Sequence, residues 1–203
     1  MKLKDSETFK NLARAYSAEC QARTRYEFIE YGARMNNYKN IADIIDEIAY
    51  QEFNHARMFY TFIQQGELKS VDNININAGF PFKEKWDLME NLKLASLDEE
   101  EDAKNYEQFA KIAREEGFDD IAILFETVIK VELYHKEIFA ELYNQMKNET
   151  LYKKDHEVIW VCADCGYMAK GKEAWDECPL CKAKQGSIKL VLECEKLQKK
   201  YCA

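Results

Sequence analysis

Four stretches of the chain place apolar residues three and four apart, the spacing of one helix face. The first runs Phe9, Leu12, Tyr16, Glu19, Ala22, Tyr26, Ile29, Ala33, behind Asp5 and Ser6, either of which can cap it. The second runs Ile41, Ile45, Ile48, Glu52, His55, Phe59, Phe62 and closes at Gly66. The third shows Leu88, Leu92, Ala95, Glu99, Asp102, Tyr106, Phe109, Ala113 and stops near Gly117. The fourth shows Ile121, Phe125, Val128, Glu132, His135, Phe139, Leu142. Every stripe is apolar except in its middle, where carboxylates and, twice, an imidazole interrupt it. Burying such groups without partners is costly.

Between the second and third helices lies ELKSVDNININAGFPFKEK, residues 67–85, with no helical stripe. So long a connection is unusual in a compact domain. It fits helices that run the same way, because the chain must return along the bundle. A thirty-residue helix is roughly 45 Å long, within reach of an extended segment of this length. Four helices with one long crossover make a ferritin-like bundle. An internal repeat agrees. At a shift of 80 positions Leu12 meets Leu92, Tyr26 meets Tyr106, Ile41 meets Ile121 and Phe59 meets Phe139. In the same frame Glu19 meets Glu99, Glu52 meets Glu132 and His55 meets His135.

Composition narrows the class. Among 203 residues, 47% are hydrophobic and only seven are Gly and two Pro, which suits long helices. A net charge of −8, from 37 acidic and 29 basic residues, argues against nucleic acid and anionic membrane surfaces as partners. No apolar run approaches a membrane span. The N-terminus, MKLKDSETFKNLARAY, has no signal-peptide pattern, so a cytoplasmic protein is expected. Its seven cysteines then read as metal ligands or free thiols rather than a disulfide framework.

Residues three apart share a helix face. Glu52 with His55 (EFNH) and Glu132 with His135 (ELYH) therefore point oxygen and nitrogen ligands into one core. Glu19 and Glu99 add one carboxylate from each remaining helix. Such a set suits two iron or manganese ions in a four-helix bundle. Bridging carboxylates offset the repulsion of two cations, and neutral imidazoles leave positions open for an oxygen species. The third helix carries a run, Asp98 to Asp102, that admits two registers. The stripe and the repeat select Glu99 as a metal ligand first and Asp102, one turn on, as the second, while Asp98 and Glu101 form the competing pair. Tyr26 and Tyr106 are placed to hydrogen-bond ligand carboxylates, and Tyr26 or a nearby carboxylate is expected to relay protons in the reaction. Cys20, beside Glu19, is expected to pack against a neighbouring helix, and His156 to be solvated.

After Lys147 the texture changes. The expected organisation is a bundle over 1–148, a polar linker over 149–156, a small domain over 157–193 and a tail over 194–203. Cys162-x-x-Cys165 and Cys178-x-x-Cys181 form two knuckles around one tetrahedral sulfur site. Spacing alone leaves zinc and iron open. A carboxylate di-metal site that reacts with an oxygen species needs single electrons, and an iron held by four thiolates would supply them. Trp160, Tyr167 and Trp175 could shield that site or form the small domain's core. Cys194 and Cys202 carry no assigned role.

With ECQARTRYEF, QEFNHARMF, FAKIAREEGF, ELYHKEIF and WVCADCGY…CPLC in place, the sequence resembles the rubrerythrins, from about residue 3 to residue 192. The resemblance implies a di-iron bundle followed by a rubredoxin-like iron domain. It implies a non-haem peroxidase that reduces hydrogen peroxide to water and protects against oxidative stress. Electrons would come from NAD(P)H through a separate reductase, or from a rubredoxin, by way of the thiolate-bound iron. It further implies a homodimer in which one subunit's rubredoxin-like domain approaches the other's di-iron site. Glu19, Glu52, His55, Glu132 and His135 match family ligands. The third helix departs: family members carry two Glu three apart, and in either register here one of them is Asp. In the family that extra carboxylate takes part in a redox-linked shift of one iron. The alternative is a non-catalytic iron- or zinc-binding scaffold, or a ferroxidase, with a structural zinc ribbon.

Overall fold

A computed structural model describes residues 1–66, 73–82 and 86–193. Parts of the 67–85 connection, Cys194 and Cys202 lie outside the described residues. Four helices, α1 (Glu7–Met35), α2 (Lys39–Gln64), α3 (Leu88–Glu115) and α4 (Asp119–Lys147), precede three strands, β1 (Lys153–Cys162), β2 (Met168–Glu173) and β3 (Ile188–Lys189). No helix among the described residues is long and apolar enough to cross a membrane.

The helix ends follow local chemistry. Ser6 caps α1 by accepting from the Phe9 N–H, and Asp87 caps α3 by accepting from the Glu90 N–H. Asn37 between α1 and α2 (φ 64°) and Gly117 between α3 and α4 (φ 84°) both take the left-handed conformation that ends a helix. They sit 80 positions apart, so the repeat extends to the turns. Helix α1 packs mainly on α2, and α3 on α4.

Two apolar clusters fill the bundle. One contains Tyr26, Ile41, Ile45, Ile48, Leu92, Phe139 and Leu142. The other contains Phe9, Leu12, Phe59, Tyr106, Ile121 and Phe125. Each fully buried large apolar side chain contributes about 1.5–3 kcal/mol. Between these clusters the stripes place their polar residues, so the surrounding core fixes the polar layer.

The strands form one antiparallel sheet, ordered β2-β1-β3, over a core of Trp160, Ala174 and Ile188. Strand β1 begins at Lys153, inside the segment expected to be linker, and pairs Lys153 with Glu173. Its start is pinned by Lys154, whose Nζ donates to Gln145 Oε1 (2.8 Å) and to the Thr150 carbonyl (2.9 Å). The sheet docks on the α1–α2 end of the bundle. Asn40 Nδ2 donates to the Ile188 carbonyl (3.0 Å) and to the Tyr152 hydroxyl (3.1 Å). Gly186 comes so close that a Cβ there would lie 1.8 Å from the Asn37 carbonyl oxygen.

Candidate metal centres

Six side chains, one each from α1 and α3 and two from each Glu-x-x-His on α2 and α4, meet in the polar layer. Glu19, Glu52, His55, Glu99, Glu132 and His135 are all buried. Their ligand atoms form two overlapping groups. Glu19, Glu52, His55 and Glu132 make one, and Glu52, Glu99, Glu132 and His135 the other. Glu52 and Glu132 belong to both. Each divides its two oxygens between the two imidazoles. Glu52 Oε2 lies 3.1 Å from His55 Nδ1 and its Oε1 2.9 Å from His135 Nδ1. Glu132 Oε1 lies 3.1 Å from His55 Nδ1 and its Oε2 3.3 Å from His135 Nδ1.

This arrangement fits two cations. Glu52 Oε1, Glu132 Oε1 and His135 Nδ1 are buried without a hydrogen bond, although they stand within a few ångströms of one another. Donor atoms that converge without bonding each other are aimed at a shared point, as ligands are. The charges agree. Burial pushes Glu19 and Glu99 well above the usual carboxylate range, and the Glu52 and Glu132 charges add to it. Burial would also raise Glu52 and Glu132, but the imidazolium charges outweigh it and hold both low. Burial would lower the imidazoles, but the carboxylates win and lift His135 to about 9. Without metal the layer needs protons to balance its negative charge, and two divalent ions replace them.

Tyrosines from the opposite helices hold the outer carboxylates. The Tyr26 hydroxyl donates to Glu99 Oε1 and the Tyr106 hydroxyl to Glu19 Oε1, both at 2.6 Å. The pairing crosses between α1 and α3 and obeys the 80-residue repeat. The acidic run on α3 separates. Glu99 enters the cluster, while Asp98 pairs with Arg25 (2.6 Å) and Glu101 is exposed. Asp102 stands outside both ligand groups. It lines a cavity of about 290 Å³ between α1, α3 and residues 78–81, with Ala15, Ala18, Phe80, Tyr106 and Phe109. Burial first, then the Glu132 and Glu52 charges, push its carboxyl up to about 7. Cys20 is half-buried beside Tyr16. His156 is exposed and meets only its neighbour Asp155 among the described residues.

The Arg25–Asp98 pair and Gln51, whose Oε1 lies 2.7 Å from His135 Nε2, did not stand out in the sequence. Both partners come from different helices, so no spacing along one stripe reveals them. The signal for Gln51 was its place beside Glu52, at a position where the repeat carries Val131.

The four cysteines gather near the α1–α2 turn, where Asp164 of the first knuckle meets Lys39 at 3.4 Å. Cys162 Sγ lies 3.7 Å from Cys181 Sγ, and Cys165 Sγ 3.6 Å from Cys178 Sγ. Four thiolates 2.3 Å from a common ion stand about 3.8 Å apart in a tetrahedron, so the cluster has the size of a metal site. The two knuckles match. Gly166 N–H donates to the Cys162 carbonyl and Lys182 N–H to the Cys178 carbonyl, and both residues have positive φ. Cys162 and Cys178 are buried, and Cys165 and Cys181 exposed. Trp160 belongs to the core, and Tyr167 meets Trp175 edge-on at 5.2 Å.

Fold and sites together define a ferritin-like carboxylate bundle joined to a rubredoxin-like module. The comparisons with known proteins are specific. The rubrerythrin family model matches residues 10–89 and 90–163, and the rubrerythrin rubredoxin-like domain model matches residues 160–187. A rubrerythrin from Clostridium perfringens is 38% identical over 183 residues, covering 88% of this chain and 91% of the relative. One from Porphyromonas gingivalis is 36% identical over 180 residues, covering 88% and 87%. Among solved structures, mixed-valent nigerythrin superposes with a TM-score of 0.58 at 23% identity, covering 91% of this chain and 86% of that one. A bacterioferritin from Desulfovibrio desulfuricans gives 0.60 at 23% identity, covering 73% and 84%. The chain belongs to the rubrerythrin family. It carries the donor sets of a di-iron centre and of a rubredoxin-type iron centre.

Proposed function

We propose that this chain is a non-haem peroxidase that reduces hydrogen peroxide to water, with Glu19, Glu52, His55, Glu99, Glu132 and His135 holding two irons and the four cysteines holding a third. The observation that carries the reading is the division of the Glu52 and Glu132 oxygens between His55 and His135. A di-iron pair supplies two Lewis-acidic centres and two electrons, as splitting an O–O bond requires.

The side chains do the rest. The balance is H2O2 plus two protons and two electrons, giving two waters. Hydrogen peroxide is small enough for the 290 Å³ cavity. Asp102 lines its wall outside both ligand groups, a placement from which a carboxyl can pass a proton inward. The Tyr106 hydroxyl keeps its proton, because burial raises it well above the usual phenol range, and so holds Glu19 in place. Tyr26 does the same for Glu99. The apolar clusters on either side keep bulk water out of the layer.

Electrons return through the four-cysteine module. The module docks at Asn40, twelve residues along α2 from Glu52, which is about 18 Å of helix. That separation favours delivery from the module of a second copy in a homodimer, itself recharged by a rubredoxin or an NAD(P)H-dependent reductase. The test is peroxide consumption by the iron-loaded chain with a chemical reductant. Wild type is expected to turn over, and a Glu52→Ala, His55→Ala double variant to lose the activity while retaining thiolate-bound iron. Equal rates in both, or a colourless wild type with zinc in the cysteine site, would leave a metal-stabilised scaffold.

A further inference from the structure

The repeat makes the two halves of the site nearly equivalent, and Gln51 breaks that equivalence. Its Oε1 lies 2.7 Å from His135 Nε2. Its amide orientation is set from the other side, where Gln51 Nε2 donates to Glu47 Oε1 at 3.4 Å. A carboxylate only accepts, so the amide nitrogen must face Glu47 and the amide oxygen must face His135. An oxygen there requires a proton on Nε2, which leaves the Nδ1 lone pair for the metal. Nδ1 is the atom that meets Glu52, Glu132 and Glu99. Eighty positions on, Glu47 and Gln51 become Thr127 and Val131, which offer His55 no such partner. Among the described residues nothing hydrogen-bonds His55 Nε2.

We propose that Gln51 is a positioning residue that makes the two metal subsites unequal. It locks His135 in the Nδ1-ligating tautomer, so the Glu99–His135 subsite binds tightly and first. The Glu19–His55 subsite, whose imidazole lacks this lock, binds more weakly and exchanges its ion faster. The inference rests on the reading of His135 as a ligand.

The test uses the full chain with 15N-labelled histidine, loaded with Zn²⁺, which is diamagnetic. With only three histidines, each ring can be followed. Wild type is expected to show a metal-bound Nδ1 and a slowly exchanging Nε2 proton on His135, and two unequal steps in a Zn²⁺ titration against a chelator. Gln51→Leu, which keeps the side chain's size but removes the acceptor, should lose the protected proton and weaken the tight step by about 10–100-fold. Gln51→Glu keeps an acceptor and should retain both features. A structural role alone would not move the ring signature. Unchanged proton protection and unchanged tight binding in Gln51→Leu overturn the proposal while leaving the di-metal reading intact. A wild type in which neither His55 nor His135 has a metal-bound nitrogen overturns both.

Discussion

The two metal centres are built in opposite ways. In the bundle, large apolar clusters on both sides of the polar layer hold six ligands in place. In the module, the apolar cluster among the described residues buries only Trp160, Ala174 and Ile188, with Tyr152, Val158, Trp175 and Val191 partly buried against them, and two of the four cysteines are exposed. A core that small cannot offset the entropy of ordering the module's chain. In the bundle the fold therefore makes the site, whereas in the module the site makes the fold. Metal should be replaceable in the first and indispensable in the second.

The sharpest way to break this comparison is to remove a thiolate. Binding of a metal to four cysteines supplies on the order of 10–16 kcal/mol of folding free energy, so Cys162→Ser is expected to unfold the module while the bundle keeps its helices. Far-ultraviolet circular dichroism and the fluorescence of Trp160 and Trp175 would read the two parts separately, and a native Trp160 signal would refute the distinction.

Within the bundle, Glu52 serves both ligand groups and Glu19 only one. Glu52→Ala should cost both irons and lower peroxidase activity by about a hundredfold or more, beyond the range for losing only a ligand's hydrogen-bond partner, while Glu19→Ala should keep one iron. Equal metal content in the two variants, by elemental analysis, would deny the shared role.

The contact between the two regions gives a smaller effect. At Gly186 a Cβ would meet the Asn37 carbonyl at 1.8 Å, whereas at Gly171 it would meet only the Glu173 backbone at 3.6 Å. Gly186→Ala is expected to cost about 1–3 kcal/mol and to loosen docking, with Gly171→Ala nearly neutral by thermal unfolding.

The smallest effect lies at the far end of the bundle. Glu116 accepts from the Glu7 and Thr8 N–H groups at the α1 N-terminus (3.0 and 2.8 Å), and the Thr8 hydroxyl and these amides outweigh burial to lower its pKa. A lowered carboxyl stabilises the fold above the unfolded pKa and loses that contribution as pH falls through the folded value. Glu116→Gln should therefore cost about 0.3–1 kcal/mol at pH 7 and show a smaller loss of stability between pH 5 and pH 3 than wild type.

How much of this was legible in the chain depends on the range of each contact. The helices were, because burial writes a period of 3.6 residues into a single segment. The metal layer was too, because Glu19, Glu52, His55, Glu99, Glu132 and His135 interrupt apolar stripes in one repeated frame. Asp102 shares the Glu99 stripe yet faces the cavity, since one turn of α3 is enough to pass the edge of the ligand cluster. Gln51 reads as an ordinary half-exposed helix residue until α4 brings His135 against it. The docking of the module through Asn40 and Gly186 joins segments about 150 residues apart and leaves no periodic trace. The start of β1 was hidden by Lys153 to Glu157, whose polar side chains look like linker because most of them are exposed.

The central claim is that the thiolate-bound iron feeds electrons through the carboxylate site to peroxide. It is tested most directly in a single turnover. The iron-loaded chain is reduced anaerobically, mixed with one equivalent of hydrogen peroxide, and the visible band of the oxidised iron–thiolate site is followed in time. Rapid return of the band in wild type, abolished in the Glu52→Ala, His55→Ala variant, is the predicted result. A band that returns equally fast in the variant would mean that peroxide oxidises the cysteine site directly, and would contradict the account.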